Sequence, residues 1–280
     1  MLDIVVPIFN AFSALQDCLQ ALEKHQQEAN QIYLINDAST DIRIADYVEA
    51  MASRNGWHYL EHKNNQGFVK TANCGLKLSK NHTILLNSDT IVTKNWLLAF
   101  KQCLLNCEKI GTATPWSNNA EICSFPKNLY NNSTPSEINV LADVLFKHHK
   151  PQYPEIPTAV GFCMLISKQA KQKVGYFDEQ HFGHGYGEEN DYSLRVAEAG
   201  LKNIICDNAY VVHVGNQSFV DLGLQPSAQT MQRLLVKHPH YGQMVAEFIQ
   251  ENPQEELRNS ILQTIKRHNI PLYQELMARS

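Results

Sequence analysis

The sequence has no surplus of positive charge and no long apolar segment. Its 24 Lys and Arg residues are outnumbered by 28 Asp and Glu residues, which gives a net charge of -4 over 280 residues. Such a balance provides no electrostatic attraction to nucleic acid. No apolar run approaches the ~20 residues that cross a bilayer, and residues 1–7 lack the flanks of a signal peptide. We therefore expect a cytoplasmic protein that does not bind nucleic acid, with contact to the inner face of the membrane left open.

Several common site signatures are also missing. The seven cysteines are odd in number and form no CxxC pair, so neither a disulfide framework nor a zinc ribbon is indicated. No GxGxxG follows the first predicted strand, and no GxxxxGK[ST] occurs anywhere. These absences argue against a dinucleotide dehydrogenase and against a P-loop enzyme.

Short apolar runs alternate with helical patterns through the first ninety residues. Strand-like runs occupy 3–9, 32–35, 58–61 and 83–86, and the segments between them have helical spacing. The first of these helices is predicted to begin at a capping box formed by Ser13 and Gln16. Alternation of this kind indicates an α/β fold with parallel strands and right-handed crossovers. Ligands in such folds bind beyond the carboxyl ends of the strands.

The fourth of these strands runs directly into a polar cluster, Asn87-Ser88-Asp89. Asp89 is therefore expected at the carboxyl end of a buried strand, where charged side chains meet ligands. Asn, Ser and Asp are also ordinary turn formers. From this stretch alone, a turn and a ligand site are equally good interpretations.

Three more motifs precede this one in a characteristic order. They are Val6-Pro7-Ile8-Phe9-Asn10, Asn36-Asp37-Ala38-Ser39-Thr40-Asp41, and Asn64-x-x-Gly67-Phe68 with Ala72-Asn73-x-Gly75. Together with Leu86-Asn87-Ser88-Asp89, they resemble glycosyltransferase family 2, whose members have the GT-A fold. The resemblance covers about the first 215 residues. It implies a Rossmann-like nucleotide-binding domain with a mainly parallel central sheet.

The resemblance also implies an activity. The chain is expected to be an inverting, metal-dependent glycosyltransferase that moves a hexosyl group from a UDP- or dTDP-linked donor to an acceptor hydroxyl. Its acceptor would be a saccharide or glycolipid, in bacterial surface polysaccharide or glycoconjugate assembly. A catalytically inactive nucleotide-sugar-binding protein and a nucleotidyltransferase stay open as alternatives.

Specific residues carry the implied donor and metal sites. Asp37 would contact the base of the donor, and Asp89 would be the main carboxylate ligand of Mn²⁺ or Mg²⁺. His213, which ends a later strand, would complete the metal coordination. Asn87 stands where the first Asp of the family's DxD motif is usual. The other residues assigned to the donor site are Pro7, Phe9, Asn10, Asn64, Gly67, Lys70, Asn73, Asn87 and Ser88.

The implied catalytic acids lie at the start of a predicted helix. Glu188, Glu189 and Asp191 follow a loop rich in glycine and aromatic residues. Carboxylates in a first helical turn are also favoured by the helix dipole, but that effect does not account for the loop. In the resemblance, aligned on Arg195, Glu188 and Glu189 take the paired-acid positions and Asp191 the later one. Glu189 is favoured as general base over Asp191, and the two would point about 200° apart if both are helical.

Two further regions complete the prediction. Residues 116–135 are long, polar and irregular, which is typical of a functional or mobile loop. We expect a GT-A domain over 1–219 and a helical extension over 220–280. The extension would form a lid over the acceptor site, a homodimer contact or a membrane contact, and the last is the weakest because its polar faces are not rich in Lys and Arg.

Overall fold

The structure, a computed structural model, describes residues 1–183, 185–215 and 228–278. Strands and helices alternate through its amino-terminal part, as the apolar pattern predicts. They are β1 (Leu2–Ile8), α1 (Phe12–His25), β2 (Gln31–Asn36), α2 (Arg43–Asn55), β3 (His58–Glu61), α3 (Phe68–Leu78) and β4 (His82–Leu86).

The middle of the chain completes the sheet. Its elements are β5 (Thr90–Val92), α4 (Trp96–Asn106), β6 (Ile110–Trp116), a 3₁₀ turn (Glu121–Cys123), α5 (Ile138–His148), β7 (Cys163–Ile166), α6 (Lys168–Val174), α7 (Glu179–Phe182), α8 (Glu188–Glu198) and β8 (Lys202–His213). In the described residues after β8 there are four helices, which we number α9 (Ala228–Lys237), α10 (Tyr241–Glu251), α11 (Glu255–His268) and α12 (Ile270–Ala278).

The strands of the described residues form one eight-stranded sheet in the order β3-β2-β1-β4-β7-β6-β8-β5. Six strands run in one direction, and β5 and β7 run against them. The sheet is therefore mainly parallel, as predicted. The carboxyl ends of β1, β2, β4, β6 and β8 meet at one edge, together with the start of β7.

Both faces of the sheet are buried. In β1, Ile4 and Val6 belong to one hydrophobic cluster and Val5 belongs to the other. This alternation explains why β1 reads as a continuous apolar run. The carboxyl-terminal helices join these clusters, α11 through Leu257 and Ile261, and α9 through Leu234.

Some details differ from the sequence prediction. The capping box is wrong, because α1 begins at Phe12 after a left-handed Ala11 and no side chain caps it. The two strand-like runs after residue 200 form the single strand β8. A bulge between Cys206 and Tyr210 interrupts its pairing with β6, and this bulge separates the two apolar runs in the sequence.

The extension is helical in its described part, and no helix there combines the length and apolarity needed to cross a bilayer. The predicted boundary between residues 219 and 220 lies outside the described residues, so the division into two domains stays a prediction.

Candidate active site

A cavity of about 230 Å³ lies where the carboxyl ends of the strands meet. The described residues around it follow β4, β6 and β8, precede β7, or begin α3 and α8. They are Phe68, Asn87, Asp89, Asn119, Ala120, Glu121, Val160, Gly161, Phe162, Tyr186, Glu188, Glu189 and His213. This cavity contains the predicted metal ligands together with the predicted paired acids.

Strand pairing brings Asp89 and His213 together. Antiparallel β5 and β8 align Thr90 with His213, so Asp89 lies beside the end of β8. The His213 Nε2 atom is 3.6 Å from Asp89 Oδ1. Its Nδ1 atom is 2.8 Å from the carbonyl oxygen of Asn119. Because a carbonyl only accepts, Nδ1 carries the proton, which leaves Nε2 as the ring nitrogen that could bind a cation beside Asp89.

The donor set at this point suits a hard divalent cation. It offers the Asp89 carboxylate, the His213 imidazole and the amide oxygen of Asn87. That amide oxygen is buried and has no hydrogen-bond partner among the described residues. Oxygen and imidazole ligands fit Mn²⁺, and the oxygen ligands also fit Mg²⁺. No group of three or more His, Cys, Asp or Glu residues with metal-binding geometry occurs in the described part of the chain.

The ionisable side chains around the cavity are mainly acidic residues. Four carboxylates line it, from Asp89, Glu121, Glu188 and Glu189, and His213 is its basic residue. None of the described residues that line the cavity is Lys or Arg. A diphosphate in this position would therefore need positive charge from elsewhere.

Glu188 and Glu189 begin α8 after Gly187, whose φ of 95° is one that glycine adopts readily. Burial, and then the charge of Glu189, raises the pKa of Glu188 well above its ordinary value. Burial is also the main cause that raises the pKa of Glu189 to about 7, and the charge of Glu121 adds to it. One carboxyl oxygen of each has no hydrogen-bond partner among the described residues. A carboxyl with a pKa near neutrality is suited to accept a proton from a substrate.

Asp191 lies outside this cavity, although it is only two residues from Glu189. Its Oδ1 atom is 2.7 Å from Lys237 Nζ and 2.9 Å from His238 Nε2, and its Oδ2 atom is 2.9 Å from Arg195 Nε. Although burial opposes the shift, hydrogen bonds from Lys237 and His238 and the charge of Arg195 lower the pKa of Asp191. Asp191 thus joins α8 to α9.

Asp37 follows β2 as predicted, and the protein itself supplies donors to its carboxylate. The Gln66 amide and the His62 ring bind Oδ1 at 2.8 and 2.9 Å, and the Gly67 amide binds Oδ2 at 2.9 Å. Asn10 holds the neighbouring loop, because its side-chain oxygen accepts from the Thr40 amide at 2.9 Å. These bonds shape the loops around the expected base site, and contact of Asp37 with the base stays a prediction.

The structure does not bring every predicted donor residue to the cavity. Lys70 and Asn64 line a separate surface groove beside α3. The buried Asn73 amide is engaged by the protein, since it donates to Phe177 O at 2.9 Å and to Glu179 Oε1 at 2.8 Å and accepts from Phe177 N. Among the remaining donor residues, only Asn87 lines the cavity; Pro7, Phe9, Gly67 and Ser88 do not.

Other cavity residues had no assigned role in the sequence interpretation. Asn119 orients the His213 ring, and Phe162 stacks on that ring with centroids 5.1 Å apart. Glu121 contributes the fourth carboxylate. The length and polarity of residues 116–135 indicated a functional loop, but no periodicity or motif distinguished Asn119 or Glu121 within it.

Comparison with known proteins identifies the class. Residues 3–175 match the family Glycosyl transferase family 2, so the chain belongs to that family. A relative, glycosyltransferase GlyG from Streptococcus pneumoniae serotype 4, is 29% identical over 99 residues, which are 35% of this chain and 33% of that protein. The chain therefore matches about a third of the length of this relative.

Solved structures confirm the GT-A fold. GalNAc-T7, solved with UDP, GalNAc and Mn²⁺, aligns with a TM-score of 0.63 and 15% identity over 96% of this chain and 54% of that one. S. aureus TarS 1-349 with UDP-GlcNAc aligns with a TM-score of 0.60 and 15% identity over 94% of this chain and 81% of that one. The mannosyltransferase PcManGT from Pyrobaculum calidifontis, with GDP-Man and Mn²⁺, aligns with a TM-score of 0.57 and 13% identity over 95% of this chain and 75% of that one.

Proposed function

We propose that this chain transfers a sugar from a nucleoside diphosphate donor to an acceptor hydroxyl and inverts the anomeric configuration. The observation that carries the proposal is the single cavity that contains both Asp89 with His213 and Glu188 with Glu189. Asp89 and His213 suit a cation beside a diphosphate, whereas Glu188 and Glu189 suit proton transfer. A direct displacement needs these two functions on either side of the reacting carbon.

The chain's own residues would divide the work as follows. Glu189 accepts the proton of the acceptor hydroxyl, and its pKa of about 7 matches that task at neutral pH. Asp89 and His213 hold a divalent cation, Mn²⁺ or Mg²⁺, and Asn119 fixes the tautomer of His213. When bound, the cation neutralises the departing diphosphate.

The acidic lining supports metal dependence. With no Lys or Arg among the described residues of the cavity, a cation is the simplest counter-charge for a diphosphate. Two structural relatives, GalNAc-T7 and PcManGT, were solved with Mn²⁺.

The test is the release of nucleoside diphosphate from a panel of UDP-, dTDP- and GDP-sugars, with Mn²⁺, with Mg²⁺ and with EDTA. We expect metal-dependent release that Asp89→Asn and His213→Ala each abolish. Asp143→Asn is the matched control, because Asp143 forms surface ion pairs on α5. Full activity in EDTA would show that the metal assignment is wrong.

The donor and the pathway are finer proposals. We favour a UDP- or dTDP-linked hexose, and TarS with UDP-GlcNAc supports the uridine option. Assembly of a bacterial surface polysaccharide or glycoconjugate is the proposed context, with a saccharide or glycolipid acceptor. The match to Glycosyl transferase family 2 favours a glycosyltransferase over the nucleotidyltransferase alternative. An inactive binding protein stays an alternative because of Asn87, and the panel above distinguishes it, since it would bind a nucleotide sugar without releasing diphosphate.

A further inference from the structure

Glu121 is the carboxylate of the cavity that the proposed reaction leaves unused. Its side chain has no hydrogen-bond or ion-pair partner among the residues that the structure describes. Its backbone is left-handed, with φ of 48°, a conformation that costs a non-glycine residue about 1 kcal/mol or more. Although the side chain keeps contact with solvent, burial by surrounding protein atoms raises the pKa of its carboxyl.

Hydrogen bonds from α11 hold the loop that carries Glu121. Arg258 of α11, only 4% exposed, donates to the carbonyls of Ile122 and Ser124 at 2.6 and 3.1 Å and to Asn128 Oδ1 at 2.8 Å. Its guanidinium also lies 4.9 Å from the centre of the Trp116 ring. Contacts with Arg258 therefore stabilise the loop in which Glu121 has its left-handed backbone.

Glu121 shares a small cavity with the proposed base. Glu121 and Glu189 both line the cavity of about 230 Å³, and the charge of Glu121 is among the causes that raise the pKa of Glu189. A general base must come within about 3 Å of the hydroxyl that it deprotonates. An acceptor bound at Glu189 would therefore share this cavity with Glu121.

The chemistry of Glu121 selects against negative charge. Its carboxyl lines the cavity and has no hydrogen-bond or ion-pair partner among the described residues. A carboxylate accepts hydrogen bonds from sugar hydroxyls, whereas an anionic group beside it meets like-charge repulsion.

We propose that Glu121 determines acceptor specificity. Its carboxylate admits an uncharged saccharide and rejects an acceptor that carries a carboxylate or phosphate beside the reacting hydroxyl. This inference rests on the proposed function, since it assigns the acceptor of that same site.

Matched pairs of acceptors test it. The probes are p-nitrophenyl β-glucoside against β-glucuronide, and the galactoside against the galacturonide, with the nucleotide sugar that the unmodified chain hydrolyses fastest. We expect kcat/KM to favour the neutral member by about tenfold or more, because like charges placed together in a binding site repel. Glu121→Gln should lower that preference to about threefold or less, mainly through a lower KM for the charged member, since it removes the repelling charge.

Two controls isolate the effect. Donor hydrolysis without acceptor is measured for each variant, because loss of the Glu121 charge also changes the pKa of Glu189, whereas the ratio between the two members of an acceptor pair is independent of that change. Glu108→Gln removes the same charge from an exposed turn before β6, at the far end of that strand, and should keep the wild-type preference. Glu121→Gly, which suits the left-handed backbone, should relax the preference as Gln does.

The outcomes separate the two proposals. An unmodified chain that hydrolyses its donor but uses the charged member equally well, or uses neither member, overturns the inference about Glu121. So does a Glu121→Gln variant with an unchanged preference between the two members of a pair. Failure of the unmodified chain to hydrolyse any nucleotide sugar instead contradicts the proposed function.

Discussion

Glu189 and Asp191 lie two residues apart in the first turn of α8, yet their surroundings are opposite. Glu189 lines the cavity beside another buried acid, and one of its oxygens lacks a partner among the described residues. Asp191 is fully buried between Arg195, Lys237 and His238. The pKa of Glu189 is raised to about 7, whereas the pKa of Asp191 is lowered.

The difference shows how one helical turn can serve two purposes. A carboxyl that is kept without cations holds its proton near neutrality and can exchange it with a substrate. A carboxyl that is surrounded by cations stays ionised and acts as a structural anchor, here between α8 and α9. The surroundings therefore favour Glu189 as the base and a structural role for Asp191.

The largest expected effect is on catalysis. Glu189→Gln should lower the turnover of sugar transfer by ~10²–10⁴-fold, the range for loss of general base catalysis. Donor binding, measured by calorimetry, should be nearly unchanged because the amide is isosteric. If Asp191→Asn shows this pattern and Glu189→Gln does not, the assignment of the base is wrong.

The next effect is on stability and concerns Asp191. Asp191→Asn should lower the free energy of unfolding by about 3–5 kcal/mol, because it leaves the part-buried charges of Arg195 and Lys237 without the fully buried carboxylate that they pair with. Urea denaturation at pH 7.5 measures this.

The loss of unfolding free energy in Asp191→Asn should also depend on pH. A depressed pKa gives stability that is present above the ordinary value of 3.8 and is lost as the pH falls through the folded-state value. The difference between Asp191→Asn and the unmodified chain should therefore shrink in acid. A constant deficit down to pH 3 would contradict the ionic role of Asp191.

The third effect is also on stability and concerns Glu189. Here the substitution should stabilise the protein at high pH, whereas Asp191→Asn destabilises it. Its pKa of about 7 lies above its ordinary value of 4.5, so the folded state binds more protons than the unfolded state between these values. Stability should fall as the pH rises through this window, by up to about 3 kcal/mol. Glu189→Gln should unfold with a shallower pH slope between pH 5 and 8 and should be more stable than the unmodified chain at pH 8. Parallel slopes would show that burial does not perturb this carboxyl.

Much of this contrast follows from local sequence. Apolar periodicity predicts the strand and helix order, and helical geometry predicts that Glu189 and Asp191 point to different sides. Asp89 was also locatable, because a buried strand runs directly into it. These features depend on residues that are close together in the chain.

The rest depends on contacts between distant segments. Lys237 and His238 reach Asp191 from α9, and Arg258 reaches the loop of Glu121 from α11. No local pattern specifies such pairs. The closeness of Asp89 and His213 likewise requires β5 to pair with β8 across more than a hundred residues, and only the family resemblance anticipated it.

The smallest expected effect refines the role of Lys237. Its side chain is 32% exposed, and its ammonium group pairs with Asp178 as well as with Asp191. Solvent screens such a cation, so Lys237→Met should lower the free energy of unfolding by only about 0.5–1 kcal/mol. His238 and Arg195 continue to balance Asp191 in that variant, and turnover should be unaffected because no atom of Glu189 loses a partner. Lys80→Met, at an exposed position just before β4, is the control for loss of one positive charge. A loss as large as that of Asp191→Asn would mean that Lys237 alone compensates the buried charge, and that Arg195 and His238 do not share this role.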